Sequence, residues 1–388
     1  MLSDIKFTVL DQSPVHPAVD HPAVDQTAVD QTAVDMPGYT ETVQKASRNA
    51  AQATIELAKA CDHLGYYRYW VAEHHNSPQF AGPSPEIFIA SIASVTKNMR
   101  VGSGGVMLTH YSPFKVAEVF NLLNALFPDR IDLGIGRAPG GDQLASSALA
   151  WPGQPQNAEA YPAQAVTLKS LLQRTIDDEH PWSKLHITPA PTARSTSTLP
   201  ATTPTPTPTT RTTLTTSGDC PQLWMLGSSG GSAELAGHIG MKLALARFIT
   251  ADRCSPDIFN AYDRAWTAAG HSDAPDRMLA IAAFCADTKE EAEHLASTAI
   301  YRKMMVQTGD RESLLPPDEV QRRRASFTTA QEADYKHIAQ GYTIGTPDQC
   351  LSEIEALAKS YASTEIAVVT VTHDFAARLK SYQLLATV

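Results

Sequence analysis

Residues 66–78 read YYRYWVAEHHNSP, residues 100–113 RVGSGGVMLTHYSP and residues 130–142 RIDLGIGRAPGGD. Each begins as a β-branched, apolar run and breaks at a polar or glycine-rich cluster, and helical patterns separate the three. Strands buried on both faces, with their chemistry at their C-terminal ends, have this look. The ends are Glu73-His74-His75, Gly102-Ser103-Gly104-Gly105 and the stretch from Gly134 to Gly141 that contains Arg137. No other part of the chain concentrates so many reactive or anion-friendly groups.

Working outward, the same pattern recurs. Strands are expected at 5–13, 67–73, 100–108, 130–135, 223–226, 242–249, 278–285 and 366–372. Helices are expected at 40–64, 85–98, 113–126, 157–177, 233–239, 256–269, 288–305 and 347–361. Gly65 closes the first helix, and Ser84-Pro85-Glu86 opens the second. Eight buried-looking strands, most followed by a helix, predict an α/β fold of the (β/α)8 TIM-barrel type. A doubly wound sheet would call for a dinucleotide fingerprint after the first strand, and LDQSPV is not one.

Two stretches do not belong to that pattern. Residues 16–35 are HPAVD-HPAVD-QTAVD-QTAVD, four copies of a unit too short for a solenoid. Residues 188–217 are dominated by Thr and Pro and cannot bury a core. Because the βα pattern is the same on both sides, both are read as low-complexity loop insertions within one domain spanning residues 1–388.

Composition narrows the function. With 388 residues, 43% hydrophobic and 19% charged, the chain is globular, and a net charge of −10 without a basic stripe argues against a nucleic-acid binder. The five cysteines are scattered and odd in number, which fits free thiols in a reducing, cytoplasmic compartment. The beginning MLSDIKFTVLDQSP lacks a basic segment followed by an apolar stretch, so no signal peptide is expected. No apolar run approaches the roughly 18 residues of a membrane span.

The candidate site is read from the strand ends. Adjacent strand residues point to opposite sides, so one of His74 and His75 should face the barrel mouth. An imidazole there handles protons or donates to a developing anion, and Glu73 and His74 are the candidate catalytic residues. HEXXH spacing is absent, so no metal is expected. In GSSGGSAELAG a strand runs through small residues into a helix, so backbone N–H groups with Ser228, Ser229, Gly230 and Ser232 can converge on an anion. Arg137, one strand earlier, can add a bidentate charge. Gly104 and Gly105 either let the backbone approach a flat ligand or simply make a tight turn or bulge.

These residues resemble the bacterial luciferase-like flavin monooxygenase family. The likeness rests on LDQSP, YWVAEHHN, VGSGGVMLTHYSPFKVAE, FPDRIDLGIGRAPG, LWMLGSSGGSAELAG and IGTPDQCL, and covers nearly all the chain outside the two insertions. It implies a (β/α)8 homodimer that takes reduced FMN from a separate NAD(P)H:flavin reductase and uses O2 to oxidise a small-molecule substrate. His74 falls on the family's active-site histidine. Gly104-Gly105 falls behind the flavin ring, where some members have a non-proline cis peptide, and Arg137, Ser229 and Ser232 fall on contacts to the FMN phosphate. Gly136 stands where true luciferases carry a reactive cysteine, and Arg247 where the related subgroup carries a histidine. Competing expectations are an F420-dependent hydride-transfer reductase and a non-catalytic flavin-binding protein.

Overall fold

A computed structural model describes residues 5–15, 41–189, 220–307, 309 and 312–386. The pentapeptide repeat lies outside the described residues, as does the Thr/Pro tract beyond Pro189.

The strands and helices alternate in chain order. They run β1 (Lys6–Asp11), α1 (Glu41–His63), β2 (Arg68–Val71), α2 (Pro85–Val95), β3 (Arg100–Met107), α3 (Pro113–Leu126) and β4 (Ile131–Gly136). Two helices, α4 (Gln143–Ala150) and α5 (Tyr161–Gln173), precede β5 (Gln222–Gly227), α6 (Gly230–Ile239), β6 (Lys242–Ala246), α7 (Asp257–Ala268) and β7 (Arg277–Cys285). Then come α8 (Lys289–Gln307), α9 (Pro317–Arg324), α10 (Thr329–Gln340), β8 (Thr343–Gly345), α11 (Pro347–Ser360), β9 (Glu365–Val369) and α12 (Phe375–Leu385).

Every ladder is parallel, and pairing of β6 with β7 and of β9 with β1 closes the eight strands β1 to β7 and β9 into a barrel. This is the (β/α)8 architecture read from the sequence. The ninth strand, β8, was not anticipated. Its three residues pair only with the far end of β7, opposite Ala283, Phe284 and Cys285, and lie outside the closed barrel. Helices α4, α9, α10 and α12 were not anticipated either.

The two-residue period of each strand sorts its side chains into two cores. Val9, Tyr69, Val71, Leu133, Leu279 and Ile281 point outward and pack under the helices. Leu10, Trp70, Trp224, Ala244, Met278, Ala280 and Ala282 point inward. The N-terminal end of the barrel is plugged by charge. Arg68 Nη1 lies 2.7 Å from Asp132 Oδ2 and its Nε 2.7 Å from Glu365 Oε1, while Arg100 reaches Asp132 Oδ1 and Trp70 Nε1 donates to Asp132 Oδ2 at 3.0 Å. Burial alone would lower the Arg68 pKa, but Asp132 and Glu365 more than offset it and hold the charge in place. Arg378 of α12 plays the same part on the flank, where it pairs with buried Asp11 and donates through Nε to Thr370 O at 2.9 Å. With one end closed by ion pairs, open space is left at the C-terminal ends of the strands.

Candidate active site

The chain leaving β2 is hung between two neighbours. His74 N donates to Gly82 O at 2.8 Å and His75 N to Gly140 O at 2.9 Å. The strand alternation carries past Val71, so Glu73 and His75 turn to one side and His74 to the other. Glu73 is almost fully buried, and its carboxylate is saturated: Oε1 accepts from His75 Nε2 at 2.7 Å and Tyr111 OH at 2.9 Å, Oε2 from Met107 N at 3.1 Å. An acceptor so fully engaged fixes the loops after β2 and β3.

His74 faces the cavity. Its ring lies on Phe80, with centroids 4.5 Å apart and planes 32° apart. Nδ1 is sealed from solvent without a hydrogen-bond partner, which leaves Nε2 as the nitrogen open to the cavity. Burial, aided by the positive Arg302 and by His75, pushes its pKa down to about 3. His74 is therefore a neutral imidazole across the physiological range, a proton donor or acceptor at Nε2 and not a cation.

The glycines of β3 answer the choice that the sequence left open. The β3–β4 register shifts between Gly104 and Val106, an irregularity of the ladder, and the Gly104–Gly105 peptide is cis. Both residues also line the cavity. A Cβ on Gly104 would come within 2.3 Å of Leu10 Cδ1, and one on Gly105 within 2.8 Å of Gly134 O. Only bare backbone fits there.

The other flank of the cavity carries an arginine and the start of a helix. Arg137 follows β4 directly, is exposed, and has no acidic partner among the described residues. Ser229 precedes α6 in extended conformation, and its side chain makes no capping bond, so the hydroxyl and the first N–H groups of α6 remain available. Nothing lies within 4 Å of a Cβ built on Gly230 or Gly231. Arg137, Ser228, Ser229 and Ser232 line the same cavity of about 470 Å³ as His74, Gly104 and Gly105. Arg137 and Ser232 also border a second cavity of about 290 Å³, which continues outward along α5 and α6. Gly230 is the one candidate that lines neither cavity.

The sequence-derived candidates thus come together in one place, from the ends of β2, β3, β4 and β5. A cavity of this size is typical for a small-molecule site. A match to the family model described as luciferase-like monooxygenase runs over residues 28–364.

The chain belongs to the luciferase-like monooxygenase family.

Among its relatives, the uncharacterised protein YwcH of Bacillus subtilis (strain 168) is 38% identical over 87% of this chain and 93% of its own. The N-acetyl-S-alkylcysteine monooxygenase of the same organism is 30% identical over 88% and 93%. Of solved structures, apo-MsnO8 superposes with a TM-score of 0.74 at 31% identity, covering 98% of this chain and 97% of that one. Two more distant structures share the fold. One is the oxygenating constituent of 3,6-diketocamphane monooxygenase from Pseudomonas putida in complex with FMN (TM-score 0.63, 20% identity, 99% and 97% covered). The other is an F420-dependent secondary alcohol dehydrogenase (TM-score 0.60, 13% identity, 98% and 97% covered).

Sequence reasoning missed Gln79, Phe80, Arg302 and Lys303. Phe80 carries the His74 ring, and Arg302 and Lys303 line the cavity. A trace was present: two adjacent cations interrupt the apolar run Ile300-Tyr301 … Met304-Met305 of α8, where charges are seldom found without a purpose.

Proposed function

We propose that this chain is a flavin-dependent monooxygenase that takes reduced FMN and O2 and oxidises a small organic substrate. The observation that carries this reading is the single cavity running from His74, past the Gly104–Gly105 wall, to Arg137 and the Ser228–Ser232 loop. When bound there, FMN would supply the activation of O2 and the transfer of one oxygen atom.

The chain's own residues do the rest. Arg137 and the start of α6 hold the phosphate, and Gly104 and Gly105 let the ring lie against backbone. Leu10, Trp70 and the inward alanines keep water from the reacting centre. His74 holds or hands over a proton at Nε2. Glu73, which also lines the cavity, positions that segment through His75, Tyr111 and the Met107 amide. A separate NAD(P)H:flavin reductase would deliver the reduced cofactor. Ile87 on α2 and Leu122 and Leu126 on α3 are 65%, 49% and 59% exposed, on helices that touch one another, which supports a homodimer through that face. Five cysteines with no disulfide among the described residues support a cytoplasmic setting, and no described helix is long and apolar enough to cross a membrane. The whole chain is taken as one barrel domain.

A second reading, hydride transfer from reduced F420, draws on the cavity beyond Arg137, which gives room for a tail longer than that of FMN. Anaerobic titration with reduced FMN, followed by mixing with air-saturated buffer, separates the two. Saturable binding and reoxidation slower than that of free reduced FMN are expected. Reoxidation at the free rate without binding, alongside saturable binding of F420, would replace the first reading with the second.

A further inference from the structure

One cation in the cavity stands apart from the arginine and serines of the anion cradle. Arg302 comes from α8, after β7, and touches the loop after β2, whereas Arg137 and the serine loop follow β4 and β5. The two positive features therefore belong to different strand ends of one cavity. Arg302 Nε donates to Gln79 Oε1 at 2.9 Å, and Gln79 Nε2 in turn donates to Glu312 O at 2.7 Å. The guanidinium lies 4.4 Å from the centroid of Phe80, the same ring that carries His74. Nε, ring and glutamine fix the plane of the fork.

Among the described residues no carboxylate lies within salt-bridge distance of Arg302, and its four Nη hydrogens have no protein acceptor. Arg68, Arg100, Arg277 and Arg378 are treated differently, since each meets an aspartate, and half-buried Arg130 is held by the carbonyls of Ala93, Thr96 and Met99. The neighbours of Arg302 add to its positive charge. Lys303 lines the same cavity, donates to Phe248 O at 2.9 Å and feels both Arg302 and Arg247, with Asp252 as its nearest counter-charge. Burial lowers the Arg302 pKa to about 10, which leaves it charged at neutral pH but costly to keep without an anion.

The floor beside this cation is apolar and unusually low. Ala244, Ala280 and Ala282 occupy inward strand positions where barrels commonly put large branched side chains, and Ala299 of α8 lines the same cavity. The inward faces of β6 and β7 thereby leave space next to His74 that Trp70 and Phe284 bound but do not fill.

We propose that Arg302 anchors the carboxylate of an otherwise apolar substrate, whose body lies on the alanine floor beside His74. This rests on the flavin reading only for what the substrate's body faces. A planar guanidinium fork matches a carboxylate bidentately, and one fixed cation suits a monoanion. The anchor sets which acid-bearing compounds are held for oxidation, and the alanines set how bulky they can be.

The test uses hexanoate and benzoate, with hexanamide and benzamide as neutral shape controls. Each is titrated calorimetrically into FMN-loaded wild type, Arg302→Gln and Arg302→Lys, and the affinity for FMN is measured on all three proteins. Carboxylates should bind wild type about 10- to 100-fold tighter than their amides, Arg302→Gln should erase that margin, and Arg302→Lys should keep part of it. FMN affinity should stay within about twofold across the three proteins, which also reports that the variants are folded. The proposal is overturned if no carboxylate binds, if the amides bind as well as the acids, or if Arg302→Gln keeps the margin. Parallel loss of FMN affinity in Arg302→Gln also overturns it, because the arginine would then belong to the cofactor. Should wild type not hold FMN, the flavin reading fails by itself, and the same titrations on the protein without FMN still decide the anchor.

Discussion

Replacing His74 with asparagine should remove a measurable, pH-dependent part of the folding stability. An unperturbed histidine titrates near 6.5. In the folded chain burial, Arg302 and His75 hold His74 down to about 3. Between those values the unfolded chain binds a proton that the folded chain refuses, so stability rises with pH through this window and is lost as pH falls. From pH 7 to pH 5 a group shifted this far would cost at most about 2 kcal/mol. Because one edge of the ring opens onto the cavity, screening brings the expected value to about 1 kcal/mol. Urea unfolding followed by tryptophan fluorescence at pH 5, 6 and 7 measures it, with His74→Asn as the reference. His373 is shifted in the same direction, but it is present in both proteins and cancels. Wild type should lose about 1–2 kcal/mol more than the variant between pH 7 and pH 5. Parallel curves would show that the imidazole is not desolvated, and His74 would then be free to act as an ordinary base near neutrality.

Other substitutions probe the remaining parts of the site and its support. Arg137→Ala should weaken reduced-FMN binding by about 10- to 100-fold in a fluorescence titration and leave the melting temperature unchanged, since the side chain is exposed and unpaired. Equal affinity would take Arg137 out of the cradle. Asp132→Asn takes from Arg100 the only carboxylate paired with it among the described residues and leaves Arg68 with Glu365 alone at the closed end of the barrel, and should cost about 3–5 kcal/mol in urea unfolding, with FMN affinity of the folded protein intact. A loss below 1 kcal/mol would show the network to be dispensable. Gly104→Ala forces Leu10 Cδ1 out of a 2.3 Å clash and into the cavity, so stability should fall by about 1–3 kcal/mol and FMN affinity with it. Stability and affinity both at wild-type values would mean that the slot is looser than described.

The parts of this molecule that were legible in the sequence are those with a local cause. A parallel strand buried on both faces needs an apolar run, which β2, β5, β6, β7 and β9 have unbroken and which Thr8, Ser103 and Asp132 interrupt in β1, β3 and β4. Strand β8 has none: Thr343-Ile344-Gly345 is three residues long and pairs on one side, so no periodicity can develop over it. Helix α9, PDEVQRRR, buries only Val320, and its stability comes from pairs such as Arg323 with Glu319 and Glu312 and not from an apolar stripe. A pattern search for buried faces passes over it. The two adjacent histidines show the same limit at higher resolution. Strand alternation says that they diverge, but only the fold says that Glu73 takes His75 and that Phe80 takes His74.

The division between cradle and anchor follows from this. Arg137 was found because it sits at the end of its own strand, next to the glycines that explain it. Arg302 lies on a helix 165 residues later in the chain (302 − 137), and what gives it a role is the meeting of α8 with Gln79 and Phe80. A family's common chemistry therefore collects at strand ends, where short motifs can carry it. The feature that distinguishes one member's substrate rests on long-range contacts with the loops and helices over the mouth. An arginine held by a glutamine and an aromatic ring, in a barrel whose fully buried Arg68 and Arg378 each pair with an aspartate, is such a feature. In this chain it points to an acid as the substrate.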